Sequence, residues 1–384
     1  MTAMNNPLLA ALDVEGSSHT VHEIAQQPQV WRELGGILAA AQTRLAAEIA
    51  PLVHDPQTRI VLTGAGTSAF VGDTLAPALS RRLGRQIDSV PTTDLVADPR
   101  AAFAGDEPVL LVSFARSGNS PESLAATRLA DQVASRVHHL VITCNPEGAL
   151  ARAHAGSLSA TVLHMPAATN DRSFAMTSSF TSMLLAGWLV LGGDDAVRST
   201  ELAAAAADRF TAARLTEIAD RAPAAAGRIV YLGSGPLAGA AREAALKMLE
   251  LTAGRVAPYS DTPLGFRHGP KSFLDETTQA VVFVSGDDYA RKYDADMVTE
   301  LRAALGTERV LTVGAHPFGD TTSDWVIDGL DGASDVLTAA VAIGVAQYFA
   351  LFASTAIGCT PDNPFPSGTV NRVVQGVTIY PLSD

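Results

Sequence analysis

The sequence predicts an α/β protein built from two similar lobes, each a parallel flavodoxin-like/Rossmann-like sheet flanked by helices. Three observations predict it. A chain of 384 residues is too long for one core of about 150 residues and comfortable for two. Short apolar runs alternate with helical sequence, the pattern of a parallel sheet covered on both faces. A strand–glycine turn–helix unit then occurs twice. In each half about fifty residues separate the glycine turn from the end of the next strand, the sign of an internal duplication.

Residues 1–45 read as an N-terminal helical segment. Thr20–Ile24 leads to Gln26-Gln27-Pro28, and Pro28 opens a helix carrying Trp31, Leu34, Ile37 and Leu38. The first lobe, 46–205, starts with Arg59–Thr63, an apolar run closed by Gly64-Ala65-Gly66-Thr67-Ser68 and followed by helical sequence. Val109–Ser113 is its second strand, ending in Phe114-Ala115-Arg116-Ser117-Gly118-Asn119-Ser120, with Pro121-Glu122 opening a helix. His139–Thr143 and Thr161–Met165 are the third and fourth. The connector falls near Gly192–Ala206. In the second lobe, 206–360, Arg228–Leu232 leads into Gly233-Ser234-Gly235-Pro236 and a long helix. Ala280–Val284, Val310–Val313 and Trp325–Ile327 follow as strands. A Pro- and Gly-rich tail, 361–384, folds back over the rest of the protein.

The 27 basic and 40 acidic side chains give a formal charge of −13. That balance argues against a nucleic-acid or membrane-surface partner. It leaves an anionic small ligand open, because backbone N–H groups and helix N-termini hold anions without basic side chains. Two cysteines, Cys144 and Cys359, exclude a disulfide framework or a Cys-based zinc cluster and read as buried thiols. No secretory leader is apparent at the start. Leu337–Gly358 is long and apolar enough to span a bilayer. Gln347 and Ser354 interrupt it and no basic flank follows, so it reads as a core or subunit-interface helix. The expectation is a cytoplasmic protein that needs neither a metal nor another cofactor.

Gly64-x-Gly66-x-x-Ala69 and Gly233-x-Gly235-x-x-Ala238 formally match a dinucleotide fingerprint, with Asp88 at a suitable distance for a ribose hydroxyl. Against that reading, Thr67 and Ser68 put hydroxyls in the first loop, and Ser117, Asn119 and Ser120 repeat the device at the next strand end. Two neighbouring strand ends presenting hydroxyls and free N–H groups make a compact cradle for a terminal phosphate. The plainer alternative is that these hydroxyls cap two helices. In Ala241–Leu251, Glu243, Lys247 and Glu250 stand at i, i+4 and i+7. At 100° per residue they form a charged stripe within about 60°. The stripe is either a solvent-facing ion pair or a partly buried carboxylate raised in pKa and able to move a proton near neutrality. His268 lies in Gly265-Phe266-Arg267-His268-Gly269-Pro270-Lys271, where an imidazole could open a sugar ring. Only Lys247, Lys271 and Lys292 are lysines.

Together these residues resemble the sugar isomerase (SIS) domain proteins, and among them the AgaS family. That family is described as tagatose-6-phosphate ketose/aldose isomerases and as galactosamine-6-phosphate deaminase/isomerases. The resemblance covers nearly the whole chain. Its most specific parts are Gly265–Lys271 and the tail from Pro361 through Asn371–Tyr380. Similarity to the isomerase half of glucosamine-6-phosphate synthase implies roles. Ser68, Ser117 and Ser120, with Gly66, Thr67, Arg116 and Asn119 alongside, match phosphate-binding loops. Glu250 matches the carboxylate that moves a proton between C1 and C2, flanked by Glu243 and Lys247, and His268 matches the ring-opening histidine. In that family the histidine loop reaches a neighbouring subunit's site, which implies a homodimer or larger homo-oligomer with shared active sites.

Two departures matter. No glutaminase domain with its catalytic cysteine precedes the lobes. Where the synthase tail carries an imine-forming lysine, this chain has Gln375, and its tail has no lysine. The resemblance therefore implies deamination: an amino-sugar 6-phosphate opened by His268, deprotonated at C2 by Glu250 and released as a ketose 6-phosphate and ammonia. The alternatives are ketose/aldose isomerisation without deamination and a non-catalytic phosphosugar-binding regulator.

Overall fold

The computed structural model describes residues 6–383 apart from 224, 226, 320 and 375; the Gln375 position therefore lies outside the described residues. Among the described residues ten strands form two sheets. The first contains β1 (Arg59–Thr63), β2 (Asp88–Ser89), β3 (Val109–Ala115), β4 (Val137–Thr143) and β5 (Ala160–His164). The second contains β6 (Arg228–Gly233), β7 (Ala257–Asp261), β8 (Gln279–Val284), β9 (Val310–Gly314) and β10 (Asp324–Val326). Every pairing is parallel. The strand orders are β2-β1-β3-β4-β5 and β10-β9-β8-β6-β7. Counted within each lobe both orders are 2-1-3-4-5, the flavodoxin-like arrangement, so the duplication holds at the level of topology.

Side chains alternate between the faces of each sheet, as a period of two requires. Ile60, Leu62, Leu110, Val112 and Phe114 enter one large core, as do Ile229, Tyr231, Val281 and Phe283 of the other lobe. Val61, Val109 and Leu111 face outward into a second cluster, and Val230, Leu232 and Val282 into a third. The two sheets thus share a central layer of helices, including Thr67–Leu83, Ser178–Gly192, Ala196–Arg221, Pro236–Leu251 and Asp335–Ala356.

Eight strands fall where the sequence places them. The two it does not show, β2 and β7, are the second strand of each lobe. Both are edge strands, and neither carries the apolar run of a strand buried on both faces. Asp88, the candidate ribose ligand, sits on β2 and pairs with Arg59 at 2.6 Å. Positions 205 and 206 lie inside one continuous helix, Ala196–Arg221. Gln27–Glu48, with Pro28 in its first turn, carries the N-terminal segment past residue 45. Cys144 is buried, whereas Cys359 is only half-buried.

Asp335–Ala356 passes the length and hydropathy requirements of a membrane span, yet 89% of its most apolar window is inside the protein. Two of its polar residues bond to other helices. Gln347 accepts from Gln27 Nε2 at 2.8 Å, and Ser354 Oγ donates to the Leu251 carbonyl at 2.6 Å. It is a core helix.

Candidate active site

In a 2-1-3-4-5 sheet the chain reverses direction between β1 and β3, and ligands sit beyond the strand ends at that switch point. The two loops singled out in the sequence are those that leave β1 and β3. Gly64 must be glycine, since a Cβ there would lie 2.5 Å from the Ser68 backbone. Gly66 has φ +55° and ψ −127°, a backbone conformation closed to other residues. Together they turn β1 abruptly into the helix Thr67–Leu83. The Ser68 hydroxyl makes no hydrogen bond among the described residues.

The β3 loop is built from its own capping bonds. Ser117 Oγ accepts from Asn119 N at 3.3 Å, and Gly118 turns at φ +63°. Ser120 caps Pro121–Val133 by accepting from Ser123 N at 3.3 Å. Capping and anion binding are compatible here, because the N–H groups of Ser117, Gly118 and Ser120 find no acceptor among the described residues. Asn119 points elsewhere: its Oδ1 accepts from Ala149 N at 2.9 Å, capping the helix Ala149–His154. Arg116 is buried beneath the loop, donating to the carbonyls of Phe174 (3.2 Å) and Arg372 (2.8 Å). Burial, with Arg372 close by, lowers its pKa to about 10.

The charged stripe lies on Pro236–Leu251, which crosses Thr67–Leu83 so closely that a Cβ on Gly239 would lie 2.4 Å from Thr74 Oγ1. That crossing brings the second lobe's helix to the first lobe's loop. Lys247 Nζ donates to Thr67 Oγ1 at 2.9 Å and to Glu250 Oε2 at 2.5 Å. It also lies 3.2 Å from Glu243 Oε1, at an angle that leaves both Glu243 oxygens without a hydrogen bond. Glu243 and Lys247 are wholly buried, whereas the Glu250 side chain is 21% exposed. The solvent-facing reading of the stripe is therefore excluded. Burial pushes the Glu243 carboxyl up to about 8, Lys247 partly opposing it. Burial pushes Lys247 down, but Glu243 and Glu250 outweigh it and the amine is held charged. The raised carboxylate is Glu243, and Glu250 is the one partly open to solvent.

His268 stands apart. It is exposed on the loop after Pro263–Phe266, and its ring has no hydrogen bond or ion pair among the described residues.

Other groups around Arg116 were not evident in the sequence. Glu23 accepts from the Ser173 hydroxyl and from the N–H groups of Arg172 and Ser173. Burial, reinforced by Asp171, raises its pKa to about 7. Asp171 accepts from Thr177 N (2.8 Å), Ser179 N (2.9 Å) and the Ser178 hydroxyl (2.5 Å), capping Ser178–Gly192. From the tail, Arg372 donates to the carbonyls of Ser173 (3.0 Å) and Asp171. Asp171 ahead of a Thr-Ser-Ser run is a helix-start signal; the tail contact has no local signature.

The SIS-domain family model matches residues 54–192, the first lobe and its two loops. A Streptomyces coelicolor protein provisionally named D-galactosamine-6-phosphate deaminase AgaS is 55% identical over 385 residues, covering 97% of this chain and 98% of its own. The Escherichia coli D-galactosamine-6-phosphate deaminase AgaS is 46% identical over 374 residues, 94% of this chain and 95% of that one. The chain belongs to the AgaS family of SIS-domain proteins. A solved member, described as tagatose-6-phosphate ketose/aldose isomerase from Escherichia coli, superposes with a TM-score of 0.87 at 41% identity. That match covers 95% of this chain and 97% of the other, so both lobes and their shared helical layer are those of the family.

Proposed function

We propose that this chain is a phosphosugar deaminase/isomerase that converts galactosamine 6-phosphate and water to tagatose 6-phosphate and ammonia. The observation that carries the reading is the Thr67–Lys247–Glu250 chain of hydrogen bonds. It sets a partly exposed carboxylate beside a hydroxyl-bearing loop at the sheet's switch point. A phosphate held by Ser68, Ser117, Ser120 and the free N–H groups anchors one end of the sugar. That anchoring leaves C1 and C2 to face Glu250. The names of relatives at 46–55% identity supply the substrate.

His268 opens the pyranose, moving a proton from the anomeric hydroxyl to the ring oxygen. Glu250 removes the C2 proton, and the electron pair of the C–H bond forms the C1–C2 double bond of an enolamine as the C1 carbonyl π pair moves onto O1, which takes a proton from the neighbouring ammonium group. The same carboxyl returns the proton to C1, giving a C2 imine that water hydrolyses to the ketose and ammonia. A single positioned base of this kind contributes about 10²–10⁴-fold. Lys247, held charged, orients Glu250 and does not itself take the proton. Because the His268 ring faces solvent in its own chain, it serves the site of a second copy, and the working form is a homodimer or larger assembly in the cytoplasm.

A paired ammonia-release assay with galactosamine 6-phosphate and glucosamine 6-phosphate tests this. The expected result is release from the galacto substrate, lost in Glu250→Gln. Interconversion of tagatose 6-phosphate with its aldose but no ammonia from either amino sugar would instead establish the isomerase named for the solved relative.

A further inference from the structure

The loop that carries His268 is fixed on every side except the histidine. Phe266 is fully buried in the outer core of the second lobe. Thr262 caps the preceding turn by accepting from Gly265 N at 3.0 Å, and a Cβ on Gly265 would lie 2.4 Å from Asp261 Oδ1. Gly269 takes φ +118°, so the chain reverses immediately after the histidine. The remaining attachment comes from one residue far away in sequence. Glu300, on the helix Asp288–Leu305, pairs through Oε1 with Arg267 and through Oε2 with Lys271 at 2.9 Å. One carboxylate thus bridges the residue before His268 and the residue three after it. Only His268 and Gly269 between them are exposed.

We propose that Glu300 is a positioning residue for the reaction: its carboxylate clamps Arg267 and Lys271 and so holds the His268 imidazole where it must meet the sugar ring. The inference rests on the role assigned to His268 above. Its physical basis is the contrast between what such pairs do for stability and what they do for geometry. The three side chains are 29–38% exposed, and ion pairs at that exposure contribute little to global stability. A general acid–base group is far less tolerant, because a misplacement of about 1 Å can cost about 10²-fold. A clamp that stabilises weakly but locates a proton-transfer group is therefore read in turnover, not in melting temperature. Glu300 touches no substrate, and its whole effect passes through the loop.

The test is a double-mutant cycle on the intact protein, read by ammonia release from galactosamine 6-phosphate, with thermal melts alongside. Glu300→Gln keeps size and removes the charge that holds both partners. It is expected to lower kcat about ten- to a hundredfold with KM within about twofold and the melting midpoint unchanged. Glu300→Asp, which can still reach one partner, is expected to recover part of the loss. His268→Asn alone should lose at least as much as Glu300→Gln. In the double variant Glu300→Gln should add nothing, since a clamp has no effect once the group it positions is gone. Wild-type kcat in Glu300→Gln, or losses that multiply in the double variant, would overturn the clamp while leaving the deaminase reading intact. Wild-type turnover in His268→Asn would overturn the role of the histidine itself, and the clamp with it.

Discussion

The two lobes keep the same turn and use it for opposite ends. After β1, Gly66 has φ +55° and ψ −127°; after β6, Gly235 has φ +56° and ψ −125°. Gly64 and Gly233 are each pressed against the helix residue four positions on. The side chains differ. Where the first lobe has Thr67 and Ser68, the second has Pro236, which has no N–H, and Leu237, which is fully buried. The serine hydroxyls at the ends of β6 and β8 are engaged internally. Asp294 accepts from Ser234 Oγ (2.6 Å) and Ser285 N (2.9 Å), and Asp335 from Ser285 Oγ (2.6 Å) and Gly286 N (2.8 Å). Two of the protein's own carboxylates occupy the place an anion would take. The comparison teaches that backbone duplication supplies two switch points, and that side chains decide which one keeps hydroxyls and N–H groups free for a ligand. The helix from the second turn instead carries Glu243, Lys247 and Glu250 across to Thr67 of the first.

The largest break in this comparison is expected at Lys247. It is the buried cation between two carboxylates, and it hydrogen-bonds Thr67 of the first lobe's loop. Lys247→Met leaves Glu250 without its hydrogen-bonded counter-charge, and removing one partner from a buried pair costs about 3–5 kcal/mol. Urea unfolding should show that loss at neutral pH. Ammonia release should fall by about 10²-fold or more, because Glu250 is no longer held in register. A variant as stable and as active as the parent would mean that the link between lobes is incidental.

How much of this was legible in the sequence follows from separation along the chain. The charged stripe is a local, helical-period pattern, and its alignment on one face was evident from spacing alone. That it is buried was not. Thr67 lies 180 residues from Lys247, and only the close crossing at Gly239 brings them together. For the same reason Glu300, 29 residues from Lys271, left no trace around His268. Arg372, 201 residues from Asp171, left none around Arg116. The eight strands read correctly are those with apolar runs. β2 and β7 escaped because one pairs through two residues only and the other contains Pro258, tolerated at an edge. Thr67, Arg116 and Asn119 show the limit of reading side-chain partners from a motif. All three are in the loops, but their side chains serve Lys247, backbone carbonyls and a neighbouring helix.

Serines at the strand ends of the two lobes sharpen the comparison at a smaller scale. A hydrogen bond to a charged group is worth about 1.5–3 kcal/mol, so Ser68→Ala should lower kcat/KM for the sugar phosphate about ten- to a hundredfold. Its effect on unfolding should be slight, since the hydroxyl has no internal partner to abandon. Ser285→Ala should do the reverse. It removes the donor that Asp335 accepts and should destabilise by about 1–3 kcal/mol, with kcat/KM within about twofold of the parent. Equal kinetic losses in both would show that the second cradle also meets substrate.

The last expected effect is a slope. Glu243 and Asp294 are both buried carboxylates raised above their ordinary values by burial. Asp294 is held by Ser234 and Ser285, while Glu243 has no hydrogen bond to its oxygens. For an acid whose pKa is raised on folding, the neutral form suits the native state. The stability that Glu243 contributes is complete below its unfolded value near 4.5. It is drawn down as pH rises and is gone above about 8. Glu243→Gln fixes the neutral form, so the difference in unfolding free energy between variant and parent should grow in the variant's favour from pH 5 to 8 and level off beyond. The same comparison for Asp294→Asn should show a shallower gain, because the amide loses half of the acceptor set that Ser234 and Ser285 need. A difference for Glu243→Gln that stays flat across pH 5–8 would place the carboxyl in its ionised form throughout, with Lys247 as its full partner. The stripe would then be a charged triad, with no proton stored on Glu243 at neutrality.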